Sequence, residues 1–373
     1  MRGLHIDPQR RIAWAQAGLT AAQYTAETAR HGLTTGFGDT GSVGIAGLTL
    51  GGGIGWLVRK HGLTIDDLLA AELVTADGDR LHVDSERQPD LFWALRGGGG
   101  NFGVITRLQH QLHEIDTILG GVLILPASPG MLRSFIAAAA PDELSTIAIL
   151  APAPALPFVP TKHHGQPALM VRLAYAGDLV AGQHAIAPLR PLATPLADAI
   201  TPMPYQQMYA AEEPGPERVR RVTRSMFLDD FDEYAESTIF DRVQVRPSPM
   251  SVVEIRVLGG AMARVPADAT AFAHRERRLM VTFGAGYQNP AQAASHETWV
   301  ADSLAAMRVA AHGVHVSFLG DEGTARVHEA YPEETYKQLA AIKRRYDPTN
   351  LFRVNQNIAP DGWSWCPVPP LAE

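Results

Sequence analysis

Nine glycines between Gly36 and Gly55 interrupt small apolar residues in GFGDTGSVGIAGLTLGGGIGWLVRKHGLTIDD, residues 36–67. Glycine loses more conformational freedom on folding than any other residue, so ordering so dense a run requires a compensating gain. Val43, Ile45, Leu48, Leu50, Ile54, Trp56 and Leu57 demand burial, which separates the stretch from a polar, Ser-rich linker. Backbone without side chains can approach a bound group closely, so the run reads as a ligand-holding segment.

A second cluster, GGGGNFG at residues 97–103, contains a G-x-G-x-x-G match at Gly98, Gly100 and Gly103. A dinucleotide fingerprint needs a strand before it and a helix after it, so that phosphate meets a helix N-terminus. Here the order is inverted. DLFWAL before it reads as a short helix capped by Asp90, and VITRLQHQLH after it alternates like a strand. A Rossmann unit is therefore not expected.

Four motifs, VGIAGLTLGGGIGWLVRKHGLTIDDL (43–68), ELVTADGDRLHV (72–83), PDLFWALRGGGGNFGVIT (89–106) and RRYDPTNLFRVNQNI (344–358), stand in the order found in one family. The chain resembles the berberine-bridge-enzyme-like FAD-linked oxidases of the vanillyl-alcohol-oxidase fold. The likeness runs from about residue 4 to about residue 360 and is weakest between about 120 and 330, where SVVEIRVLGGAMARV and TAFAHR carry it. It implies an α+β, two-domain fold: a flavin-binding part at residues 1–115, a substrate part at 116–332 with a large antiparallel sheet flanked by helices, and a segment at 333–373 that returns to the flavin part. By the same resemblance FAD is the cofactor, a small alcohol, amine, sugar or secondary metabolite is the substrate, and oxygen reoxidises the flavin. Gly38, Val43, Gly44, Gly47, Leu48, Gly51, Gly52, Gly53, Asp66, Leu68, Gly103 and Ile105 would line the flavin, and Asn355 and Gln356 would meet it from the C-terminal segment.

In the family a smaller subdomain with a glycine-rich pyrophosphate loop, usually carrying a histidine bonded to flavin, precedes the position equivalent to Met1. MRGLHIDPQRRIAWAQAG reads instead as the tail of a hairpin, and residues 1–373 alone are expected to be poorly soluble or to bind flavin weakly. Two functional alternatives follow: a non-redox cyclase or isomerase, and a flavin-free remnant using the same cleft.

Composition narrows the classes further. The chain has 373 residues, is 46% hydrophobic and lacks an uncharged apolar stretch long enough to span a bilayer. A net charge of −7 gives no electrostatic reason to expect nucleic acid. The single cysteine, Cys366, excludes an internal disulfide, and the scattered histidines support no metal site. A cytoplasmic location is the matching expectation.

Local patterns predict a strand over residues 11–18 and a helix from Thr20 to Arg30 stopped by Gly32. They also predict a 68–83 hairpin turning on Asp77-Gly78 and a strand over 104–112. Alternating strands and helices follow over 120–189, interrupted by a Pro-rich loop at 151–160. Strands over 251–257 and 279–285 and helices over 292–311 and 333–346 complete the reading.

Oxidation at flavin often needs a base for the companion proton. The resemblance places a catalytic carboxylate on RRLMVTFGAGY, where Met280 stands instead. Substitute candidates are Glu254, Tyr287 and Tyr336. Glu254 and Arg256 share one face of SVVEIRV, a pattern more often a charge pair on an outer sheet face than a catalytic one. His274 and Arg275 are expected to brace the domain interface. Doubly attached relatives carry a cysteine where this chain has Thr40, so no thioether to flavin can form. FAD bound by this chain should therefore be released on acid denaturation; fluorescence that pellets with the precipitated protein would contradict this.

Overall fold

Leu4–Asp7 and Ile12–Gln16 form an antiparallel hairpin at the start of the chain, with Arg11 at φ 52° in its turn. The computed structural model describes residues 1–373 except 116, 140, 156, 158, 210–218, 308–311 and 363–373. The hairpin edges a five-stranded sheet ordered Leu4–Asp7, Ile12–Gln16, Val104–Gln111, Leu68–Val74, Arg80–Asp84. Thr20 caps the Ala21–Thr28 helix through a reciprocal box with Gln23, and Gly32 at φ 65° ends the 3₁₀ turn that follows.

Several expectations change in detail. Of Asp77 and Gly78 only Gly78 has positive φ, 88°. Residues 75–79 form a longer loop, closed by Thr75 N–H donating to Asp79 O at 3.0 Å, so no two-residue turn with paired positive angles is needed. The Pro89–Leu95 helix takes Gln88, not Asp90, as its N-cap. Asp90 lies in the first turn, where it accepts from Arg345 at 2.8 Å and from the Tyr346 hydroxyl at 3.2 Å. Pro152 ends the Leu144–Pro152 strand opposite Pro167, at a sheet end where neither position needs an N–H. The later helix covers Ala293–Met307; residues 308–311 of its expected span lie outside the described residues.

The second sheet has eight strands, all antiparallel. Its order is Ala197–Asp198, Thr117–Pro126, Pro167–Tyr175, Leu144–Pro152, Ser251–Val257, Leu279–Tyr287, Arg220–Leu228, with Thr201–Pro204 also paired to Thr117–Pro126. Period-two alternation gives the sheet two different faces. Val253, Ile255, Val281 and Phe283 bury against the Glu233–Gln244 and Ala293–Met307 helices. Val252, Glu254, Arg256, Thr282 and Gly284 face the other way, toward the glycine-rich stretch. Register sets Glu254 opposite Ile149 and Thr282, and Arg256 opposite Ile147 and Met280.

The Glu333–Tyr346 helix matches its expected span and returns to the core of the first sheet, burying Leu339, Ala340 and Ile342 with Leu91, Leu95 and Phe102. Lys343 fixes it there. Its fully buried ammonium donates to Asp347 at 2.6 Å, Asn101 O at 2.6 Å and Phe352 O at 2.9 Å. Among the described residues no helix is long and apolar enough to cross a membrane.

Burial holds four histidines neutral: His61, His110 and His315 are pushed down to about 3 and His274 to about 4. In the unfolded chain each titrates near about 6.5. Below that value the unfolded chain takes up protons that the fold refuses, so stability present above it is lost as pH falls toward the folded values. The melting temperature should drop by several degrees from about pH 7 to about pH 5. A calorimetric series flat across that window would show these rings protonating in place.

Candidate active site

Between the glycine-rich stretch and the face of the large sheet turned away from its helices lies a cleft of about 1050 Å³. Its floor is Gly38, Asp39, Thr40, Val43, Gly44, Gly47, Leu48, Gly51, Gly53 and Ile54. The stretch expected as a loop contains a helix, Ile45–Gly51, with Gly44 as its N-cap. Its buried Ile45, Thr49 and Leu50 turn inward and leave Gly44 and Gly47 facing the cleft. A Cβ on Gly47 would meet nothing within 4 Å, and one on Gly44 only Leu19 O at 4.0 Å.

Gly52 behaves differently. At φ 127° its Cβ would come within 2.9 Å of the Phe272 ring, and it packs there and does not line the cleft. Gly51 and Gly53 line the cleft, yet their Cβ positions would collide with Ser317 and Thr64.

Arg256 crosses from the sheet to the floor. It donates to Glu254 Oε2 at 2.9 Å and to Asp39 Oδ2 at 2.5 Å, and its guanidinium lies 5.2 Å from the Phe318 ring centroid. Burial alone would raise the Asp39 carboxyl, but the Arg256 guanidinium outweighs it and holds Asp39 below its usual range. Burial likewise opposes the charge on Arg256, and Asp39 and Glu254 overcome that and raise it. Glu254 and Arg256 thus line the cleft, correcting the outer-face reading. Thr40 also lines it and donates to Asp39 Oδ1 at 3.0 Å.

The rest of the wall is mixed. Arg172 stacks over Trp56 at 5.2 Å, beside Met170, Ile147 and Ile149. His315, 2% exposed, lines the cleft with its Nδ1 unbonded among the described residues. Thr282 lies directly across from Glu254, its hydroxyl also without a described partner.

Gln356 lines the cleft as well, while Asn355, itself off the lining, donates to the carbonyl oxygen of the rim residue Gly100 at 3.0 Å. Asp66 is committed elsewhere: both its oxygens accept from the fully buried Arg275, at 2.7 and 2.8 Å, and it also accepts from Leu63 N–H. Leu68 and Ile105 belong to the first sheet, and Gly103 directly precedes its Val104–Gln111 strand, where a Cβ would sit 2.7 Å from Val74 O. Tyr287 projects to the helix-covered face, its ring 5.1 Å from His296, and Tyr336 packs 4.1 Å from His328. Neither reaches the cleft. Met280 is buried against Phe227 and Leu258. Arg172, Arg221, Thr282 and His315 are cleft residues that the sequence reading did not select. Strand parity from Glu254 leads to Thr282 once the register is known, whereas nothing in GVHVSF singles out His315.

Comparison with known proteins agrees with this geometry. Residues 1–84 match the FAD binding domain family and residues 318–359 the family described as berberine and berberine like. The chain is 32% identical to (R)-6-hydroxynicotine oxidase of Paenarthrobacter nicotinovorans over 97% of its own length and 80% of that protein's. The chain belongs to the berberine-bridge-enzyme-like FAD-linked oxidases. An FAD-linked oxidoreductase of Dictyostelium discoideum is 27% identical over 96% of this chain and 78% of its own. The crystal structure of 6-hydroxy-D-nicotine oxidase from Arthrobacter nicotinovorans superposes with TM-score 0.83 at 28% identity, covering 96% of this chain and 80% of that one. Berberine bridge enzyme from Eschscholzia californica, at 20% identity and TM-score 0.81 over 96% of this chain and 79% of that one, shares the fold.

The family cofactor is FAD, and the protein is an FAD-dependent oxidoreductase acting on a small organic substrate. The cleft fits that group: its volume lies just above the roughly 300–1,000 Å³ usual for small-molecule sites, and its floor presents bare backbone at Gly44 and Gly47. The two glycine classes should separate in thermal unfolding. Gly52→Val should lower stability by about 1–3 kcal/mol from strain alone, whereas Gly47→Val should leave it unchanged or slightly higher, since valine is the better helix former. Equal melting temperatures for the two variants would contradict this division.

Proposed function

We propose that FAD and substrate meet in this cleft, with Gly44 and Gly47 against the cofactor and Glu254 as proton acceptor. The supporting observation is that an arginine-held carboxylate faces side-chain-free backbone across a single cavity. On this reading residues 1–115 and 333–373 carry the flavin and 116–332 the substrate, with oxygen as the final acceptor. Bound there, FAD supplies a two-electron acceptor for hydride from a substrate carbon.

The chain's own residues do the rest. Arg256 fixes Glu254 through one carboxylate oxygen, and the other accepts no bond among the described residues, leaving it for a substrate proton. Ile147, Ile149, Met170 and Val252 give the substrate an apolar wall and displace water from it. Thr40 occupies the floor without offering a thiol, so no thioether from that position holds FAD.

Co-elution of yellow flavin absorbance with the protein after incubation with FAD tests the cofactor reading, and Gly47→Val should lower that occupancy. Oxygen uptake with a panel of alcohols, amines and reducing sugars tests turnover. Glu254→Gln should slow anaerobic flavin reduction by about 10²–10⁴-fold while flavin occupancy holds. Wild-type reduction rates in that variant would remove Glu254 from the chemistry.

A further inference from the structure

We propose that the cleft is built for an uncharged alcohol and discriminates against an ammonium, with Arg256 and Arg172 as the residues that impose the choice. This deepens the functional reading above and rests on Glu254 as proton acceptor.

The cleft's charges carry the argument. Arg172 and Arg256 line it against Asp39 and Glu254, with the exposed Arg221 adding a positive charge at its mouth, in a protein whose net charge is −7. Both carboxylates are already bonded to Arg256, so an ammonium seated at Glu254 would share that carboxylate with a guanidinium. Arg172 is half-buried, with Trp56 beneath it and no ion pair of its own among the described residues; the carboxylate it influences, Asp39, is already bonded to Arg256. A low-dielectric wall makes such like-charge proximity costly. The remaining polar groups are neutral: the hydroxyls of Thr40, Thr223, Thr282 and Ser317 and the Gln356 amide, each able to donate and accept. A substrate hydroxyl suits this set. It can donate to Glu254 and accept from a neighbouring donor, whereas an ammonium can only donate.

The chemistry points the same way. In the alcohol the C–H bond breaks with its electron pair going to FAD, the O–H bond breaks with its proton going to Glu254, and a neutral C=O forms. FAD is reduced by two electrons and the carbon is oxidised by two. The nearby guanidinium favours negative charge that builds on the substrate oxygen as the proton leaves. Removing hydride from an amine carbon instead leaves an iminium cation, which would form beside Arg256 and Arg172.

Matched probes test the preference: 1-phenylethanol against 1-phenylethylammonium and cyclohexanol against cyclohexylammonium, followed by ligand-detected NMR with and without FAD at a pH where both amines are protonated. Flavin retention is measured separately, so loss of FAD binding would strike the cofactor reading while the probe order still tests this one. Each alcohol should bind at least about tenfold more tightly than its ammonium partner, and the gap should narrow with added salt. Arg172→Gln should raise ammonium affinity several-fold and change the alcohol's by less, a selective gain that a general packing defect cannot produce. Ammonium binding equal to or tighter than the alcohol, an equal change in both probes on Arg172→Gln, or binding of neither probe overturns the proposal.

Discussion

One buried guanidinium holds the two sides of the cleft together. Arg256 belongs to the large sheet and Asp39 to the glycine-rich stretch, and their 2.5 Å contact joins segments 217 residues apart. Removing charges from water is costly, and a guanidinium between two carboxylates is among the arrangements that repay it, because each partner is hydrogen-bonded as well as charge-matched. The same contact sets the site's chemistry. It keeps Asp39 ionised, holds Glu254 by one oxygen and places a permanent positive charge on the cleft wall.

The glycines divide into two physical kinds. Gly44 and Gly47 leave room on the cleft side of a short helix, and Gly52 lets the backbone turn tightly against Phe272. A dense glycine run thus supplies one bare stretch of cleft floor and one packing corner. Arg275 reinforces the corner from beneath: fully buried, it grips Asp66 with both terminal nitrogens and Thr270 with one of them.

Much of the fold was legible from pattern. The Thr20 cap, the 68–83 hairpin and the Glu333–Tyr346 helix each follow from neighbours within a few residues, and the structure contains all three. The family motifs pointed to FAD and to the large antiparallel sheet. Tertiary partners were not legible in the same way. Asp66 looked free for a cofactor because its partner, Arg275, is 209 residues away. Gly52 and Gly47 are alike in sequence and differ only in what a Cβ would touch. Glu254 and Arg256 showed a shared face but not which face, since the decision belongs to the helices packed on the other side.

Lys343 links the end of the chain to a segment made much earlier. Asn101, which sits in the second glycine cluster, takes the Lys343 ammonium on its carbonyl and also bonds Ile358 N–H through its side chain. A nascent chain emerging in sequence order presents the glycine cluster more than 200 residues before the helix that secures it. That cluster contributes Gly99 and Gly100 to the cleft rim, and Gln356 beside them arrives later still. The rim therefore closes last in biosynthesis, after both sheets have had time to form, and long-range closure of this kind is slow relative to local pairing.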